Sequence, residues 1–128
     1  MIRLGVKLPM TANALRPNSR VHWRKKAKQT SALRLVSKNR FSKMVRQLKA
    51  ETISVPVGHV TITRKFYFKT NRRRDKDNMN ASTKAINDGM VDSGLIKDDY
   101  GNNIYWNDSE LHINPNIEHE FIYYDITL

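Results

Sequence analysis

Two aspartates one residue apart, Asp75 and Asp77, follow the run Arg72-Arg73-Arg74 and precede Asn78. Lys84 and Asp88 come next, four residues apart and so on one face of a helix. Lys97-Asp98-Asp99 closes the stretch. Carboxylates packed this closely repel one another unless a cation lies between them. Hard cations such as Mg²⁺ take oxygen ligands, usually one or two carboxylates together with substrate phosphate. An Asp-x-Asp at the end of a strand turns both carboxylates to one side. Three acidic clusters between residues 75 and 99, brought back together by a helical hairpin, can then ring one site. Singly, each has a plainer reading: a turn or solvated strand end for the Asp-x-Asp, a loop pair for Asp98-Asp99, a solvated charge run for the arginines. An EF-hand is excluded, because counting from Asp75 the glycine position holds Asn80 and the terminal glutamate position holds Ile86.

The charge distribution gives these acids a setting. Residues 1–74 carry 20 Lys/Arg and one acid, Glu51, whereas residues 75–128 carry three Lys/Arg and 11 acids. The total of +11 therefore divides into +19 and −8. Solubility alone requires no such segregation, since interspersed charges serve it equally well. A cationic platform beside an acidic cluster fits a polyanion handled by a metal-binding centre. Twelve Lys/Arg lie between Arg16 and Lys49 with no acid among them. Of these, Arg16, Arg20, Arg24, Lys25, Lys26 and Lys28, with Arg72, Arg73 and Arg74 beside the acids, are the candidates for phosphate contacts. Such contacts position DNA without reading its sequence, and six of them give a salt slope of about −5.

The elements that must hold these residues follow from apolar spacing. At 128 residues with 39% hydrophobic content, the chain forms one domain, residues 1–128, with a core of its own. Ile2, Leu4, Val6 and Leu8 alternate as a half-buried strand. Residues 20–50 contain no Gly or Pro, and Phe41, Met44, Val45 and Leu48 keep a helical period that Trp23, Ala27 and Thr30 share. Residues 33–40 keep the phase poorly, so one long helix and two shorter ones both fit. Residues 57–68 read as a strand with Val60, Ile62, Phe66 and Phe68 on one face. A second helix over about 78–93 buries Met79, Thr83, Ile86 and Met90, with Gly94 as its left-handed stop and Leu95 following. Two strands, about 103–113 and 117–128, turn at Asn114-Pro115-Asn116, and Ile122, Tyr124, Ile126 and Leu128 share a face. The order β-α-β-α-β-β predicts an α/β (α+β) fold, a small mixed sheet with helices packed on it. Trp23 and the pair Tyr105-Trp106 read as core, with stacking on bases as the alternative. His22, His59, His112 and His119 share no ligand spacing and read as structural or surface residues.

The run Arg73-Arg74-Asp75-Lys76-Asp77-Asn78, then Lys84-Ala85-Ile86-Asn87-Asp88-Gly89-Met90, then Gly94-Leu95-Ile96-Lys97-Asp98-Asp99, resembles the RusA family of Holliday junction resolvases. The similarity is specific over residues 72–100. It is loose before them, where Asn13 or Asn18 with Arg20 matches only the family's polar, basic N-terminal character. The resemblance implies a small, homodimeric, Mg²⁺-dependent endodeoxyribonuclease, with Mn²⁺ as a substitute metal. Such enzymes are carried by phages and prophages and cut four-way DNA junctions symmetrically in recombination and repair. Carried across, the family's catalytic residues fall on Asp75, Asp77, Lys84 and Asp99, with Asp75, Asp77 and Asp99 as the metal ligands. Asn78, Asp88 and Asp98 are supporting positions. One departure stands out: the family's lysine follows its second aspartate by four positions, whereas Lys84 lies seven beyond Asp77. Three extra residues are nearly one helical turn, which still lets Lys84 face the site.

The remaining expectations are branched DNA and a second copy of the chain as partners, no small-molecule cofactor and no membrane. The N-terminus has no charged-then-apolar leader, no stretch reaches the ~20 apolar residues of a membrane span, and there is no cysteine. Disulfides and thiolate zinc sites are thereby excluded, and a reducing cytoplasm, that of a bacterial host, is the setting read. Two other functions share much of this sequence: a non-catalytic nucleic-acid-binding protein whose acids only cap helices and solvate loops, and a metal-dependent nuclease acting on other branched DNA or on RNA.

Overall fold

Alternating apolar side chains build the sheet. The computed structural model describes residues 2–11, 20 and 22–128. Strand β1 (Arg3–Pro9) buries Val6 and Leu8, and β5 (Phe121–Thr127) buries Ile122, Tyr124 and Ile126. Strand β2 (Val60–Phe68) buries every even-numbered side chain, including one that is not apolar, Arg64. These three lie antiparallel in the order β1-β5-β2. The far side of β2 carries two short parallel strands end to end, β3 (Ile104–Trp106) and β4 (Glu110–Ile113). The expected strand at 103–113 is thus divided. Ile62 pairs with Trp106 and Lys65 with Glu110, so four steps of one chain match three of β2. That is a one-residue bulge, held by Asn107, whose N–H donates to the Ile62 carbonyl and whose Nδ2 donates to Thr63 Oγ1 (both 2.9 Å).

Helix α1 (Trp23–Ala50) is continuous. Its phase weakens at 33–40 because the inward position there is polar and small. Ser37 is fully buried, and its Oγ donates to the Ile86 carbonyl at 2.6 Å. The opposing residue is Gly89, where an added Cβ would stand 2.5 Å from the Arg34 carbonyl oxygen. Small residues let two helices cross closely, and an apolar-periodicity reading does not register them. At its other end α1 closes in a Schellman turn: Thr52 N–H reaches the Lys49 carbonyl and Ile53 N–H the Leu48 carbonyl, with Thr52 at φ 61°.

The expected second helix is two. α2 (Lys76–Ala81) and α3 (Lys84–Asp92) are separated at Ser82-Thr83. Both hydroxyls bond back to carbonyls, Ser82 Oγ to Met79 O (2.6 Å) and Thr83 Oγ1 to Asn80 O (2.7 Å), which ends the first helix. Met79, Thr83, Ile86 and Met90 are all buried, and Gly94 takes φ +85° with Leu95 buried behind it. Trp23 and Tyr105 are 67% and 61% exposed, which overturns their reading as core; Trp106 alone packs against it. Ala27 is exposed too, so the first turns of α1 stand clear of the sheet. Among the described residues no helix is long and apolar enough to cross a membrane.

Candidate active site

The Asp-x-Asp does not end a strand. β2 stops at Phe68, and Asp75 is the N-cap of α2, its Oδ1 accepting from the N–H groups of Asp77 (2.8 Å) and Asn78 (3.4 Å). Aspartate is a favoured N-cap because its carboxylate satisfies helix N–H groups that have no intrahelical partner. The geometry is therefore that of a helix start rather than a pleat, and both carboxylates remain exposed. Asn78 is half-buried on the same turn, and its carbonyl accepts from Ser82 N–H.

Lys84 opens α3, and there the sequence spacing matters. Its Nζ donates to Asp88 Oδ1 at 2.9 Å and to Asp99 Oδ2 at 3.2 Å. These bonds, that to Asp88 first, hold the ammonium above its ordinary range. Asp88 also lies 3.9 Å from Arg34 of α1, which makes a two-pronged bond to Asp92 (2.6 and 2.9 Å). A ladder of alternating charge thus runs from α1 across α3 to the Asp99 loop. The break at Ser82-Thr83 falls within the seven residues by which Lys84 follows Asp77. Asp98, next to Asp99, is half-buried.

Beneath the break lies a polar mount that the sequence reading did not single out. Arg64 is 8% exposed, and its Nη1 donates to Thr83 Oγ1 (3.1 Å) and to the Asn80 carbonyl (3.4 Å) while its guanidinium lies 4.1 Å over the Trp106 ring. Its Nε is buried without a partner. Burial pulls its pKa down, with the Tyr124 hydroxyl acting against that. Tyr124 in turn donates to Asn87 Oδ1 at 2.6 Å, and burial pushes its own pKa up to about 12. Ser109, on the bulge, donates to Asn80 Oδ1. The visible signal was one cation among Val60, Ile62, Phe66 and Phe68 on a face otherwise apolar. Together these bonds tie the α2–α3 junction to β2 and to the bulge.

The basic candidates divide. Arg16 lies outside the described residues, as do Asn13 and Asn18. Arg20, Arg24, Lys25 and Lys28 are exposed and Lys26 is half-buried, with Arg24 over the Trp23 ring at 5.3 Å. Arg72 and Arg73 are exposed. Arg74 folds back, 3.7 Å over the Phe68 ring, with Nη1 donating to the Thr70 carbonyl at 2.9 Å. Of the histidines, His22 caps α1 by accepting from Arg24 N–H, and His112 stacks on Tyr67.

For a divalent cation the donor type fits, since Asp75, Asp77 and Asp99 offer carboxylate oxygens of the kind Mg²⁺ takes. Among the described residues no three His, Cys, Asp or Glu side chains are gathered closely enough to hold an ion together. The structure brings together Lys84, Asp88 and Asp99.

No family model matches this chain. An uncharacterized protein of Xylella fastidiosa (strain Temecula1) is 34% identical to it over 95 residues, 73% of this chain. The chain spans about 60% of the length of that relative.

Proposed function

We propose that the protein is a Mg²⁺-dependent endodeoxyribonuclease that resolves four-way DNA junctions by symmetrical phosphodiester cleavage, working as a homodimer in the manner of the RusA family. The observation that supports this best is Lys84 bonded to Asp88 and Asp99, the lysine and later acids of the resemblance meeting despite the longer spacing. Asp75, Asp77 and Asp99 would hold Mg²⁺, whose binding would have to draw them closer, since the described residues gather no three such side chains as they stand. When bound, the ion supplies charge neutralisation and an activated water for hydrolysis. Lys84, its pKa raised, stays an ammonium at neutral pH and serves the developing charge on the phosphate rather than taking a proton. Arg72 and Arg73 grip flanking phosphates. A two-fold dimer presents two such centres to a junction of near two-fold symmetry.

Asp75 as a helix cap favours a second reading, a nucleic-acid-binding protein without catalysis. A synthetic four-way junction incubated with Mg²⁺, then Mn²⁺, with a linear duplex as control, separates the two. Paired nicks at symmetrical positions in the junction are expected. Tight binding without cleavage under either ion leaves the second reading standing.

A further inference from the structure

We propose that the groove between β1 and α1 is a separate binding surface for nucleic-acid backbone, distinct from the acidic centre and from the arginines beside it. It has a volume of about 590 Å³ and is lined by four cationic residues: Arg3 and Lys7 from the edge of β1, whose side chains turn to the outer face of the sheet, and Arg40 and Lys43 from α1. Arg40, Lys43 and Gln47, at i, i+3 and i+7, put one stripe of the helix over the strand. Among the described residues no acid lines the groove. Asp125 bonds Arg3 from outside it and is shared with Lys65. Among the described residues Lys7, Arg40 and Lys43 belong to no ion pair.

The strand edge adds donors. Leu128 N–H donates to the Ile2 carbonyl, so the even-numbered residues of β1 face β5 and the odd-numbered ones turn their backbone groups outward. Arg40 Nη1 already takes the Lys7 carbonyl at 2.5 Å, leaving outward N–H groups beside cations, the pairing that a phosphate accepts from. The same contact, with charged side chains along the edge, blunts the addition of another β-strand.

The test reads binding alone and stands apart from whether the protein cuts. A fluorescent 20-bp duplex is titrated by anisotropy across a salt series. The variant is Lys7→Met/Lys43→Met, which removes two charges, that of Lys7 lying 4.3 Å over the Phe121 ring. The control, Lys49→Met/Lys69→Met, removes equal charge elsewhere. The groove variant is expected to lower the salt slope by about 2 and weaken binding roughly tenfold at physiological salt, the control by much less. Equal slopes in variant and control, or no binding of the duplex by the wild-type chain, would overturn the proposal. So would unchanged duplex binding with lost affinity for a poly-glutamate peptide, which would assign the groove to an acidic protein segment.

Discussion

Gly89→Ala tests the closest approach in the fold. Glycine inside a helix is about 1 kcal/mol poorer than alanine, so on propensity alone this substitution should stabilise α3. The crossing with α1 reverses the sign. The new Cβ would lie 2.5 Å from the Arg34 carbonyl oxygen, 2.6 Å from Ser37 Cβ and 2.7 Å from Ser37 Oγ. Two of these neighbours are backbone or Cβ and cannot swing aside, so the helices must separate. Overpacking of this kind costs about 1–3 kcal/mol. Separation also strains the buried Ser37–Ile86 hydrogen bond, whose loss adds about 1 kcal/mol. After the propensity gain is subtracted, a net loss of about 2 kcal/mol remains. For a chain of this size that is a fall in Tm of about 8 °C. Thermal and urea unfolding of the variant should be set beside Gly58→Ala, where an added Cβ meets nothing within 4 Å and stability should stay within about 0.5 kcal/mol of wild type. A Gly89→Ala protein as stable as wild type, or more so, would refute the close crossing and with it the placement of Lys84 and Asp88 on α3.

Asp75→Asn and Asp77→Asn should each abolish junction cutting while binding persists or tightens. Because Asn caps as well as Asp, Asp75→Asn should cost little stability, whereas Asp75→Ala should cost about 1 kcal/mol. Lys84→Met should slow cutting at least about 100-fold, on the scale of losing one oxyanion donor, with junction affinity nearly unchanged in a gel-shift assay. Asp92 and Asp125 are held below the ordinary carboxylate range, by Arg34 and Arg3 respectively, so their stabilisation is present above that range and is lost as pH falls below about 4. Urea midpoints should therefore drop between pH 5 and pH 2, and less steeply in Asp92→Asn/Asp125→Asn. Thr52→Gly should gain about 0.5–1 kcal/mol, since Thr52 stands at φ 61°, where glycine rests without strain.

Where one force ruled, the sequence could be read directly. Strict alternation marked β2 and β5 and the correct inward faces, because burial of one sheet face leaves no other arrangement. Gly94 was legible for a similar reason, its position demanding a left-handed backbone. Reading failed where side-chain hydroxyls decided. Ser82 and Thr83 fit a continuous helical stripe by burial, yet their oxygens bond to the preceding turn and divide it. Ser37 looked like lost phase because its partner, Gly89, is 52 residues away in the chain. The acids of the candidate site were found by type and spacing, but Asp75 was set on a strand because periodicity says little about caps. Lys84 stands seven residues beyond Asp77, and the break between α2 and α3, invisible to spacing alone, falls within that span. Arg64 was passed over as one polar residue in an apolar run, although a buried cation on such a face had to find partners.

The single extra residue between β3 and β4 sets a rule of parity for the chain. Along β3 the even-numbered Ile104 and Trp106 stand opposite Val60 and Ile62, on the core side; along β4 the odd-numbered Leu111 and Ile113 stand opposite Phe66 and Phe68. Only because of that switch does His112 emerge on the outer face to stack on Tyr67, while Ser109 turns in beneath Asn80. Deleting one residue from 107–109 would match three steps to three of β2, removing the bulge and keeping the faces of β4, whereas deleting two would exchange them. Homologous chains that shorten this link should therefore do so by a single residue.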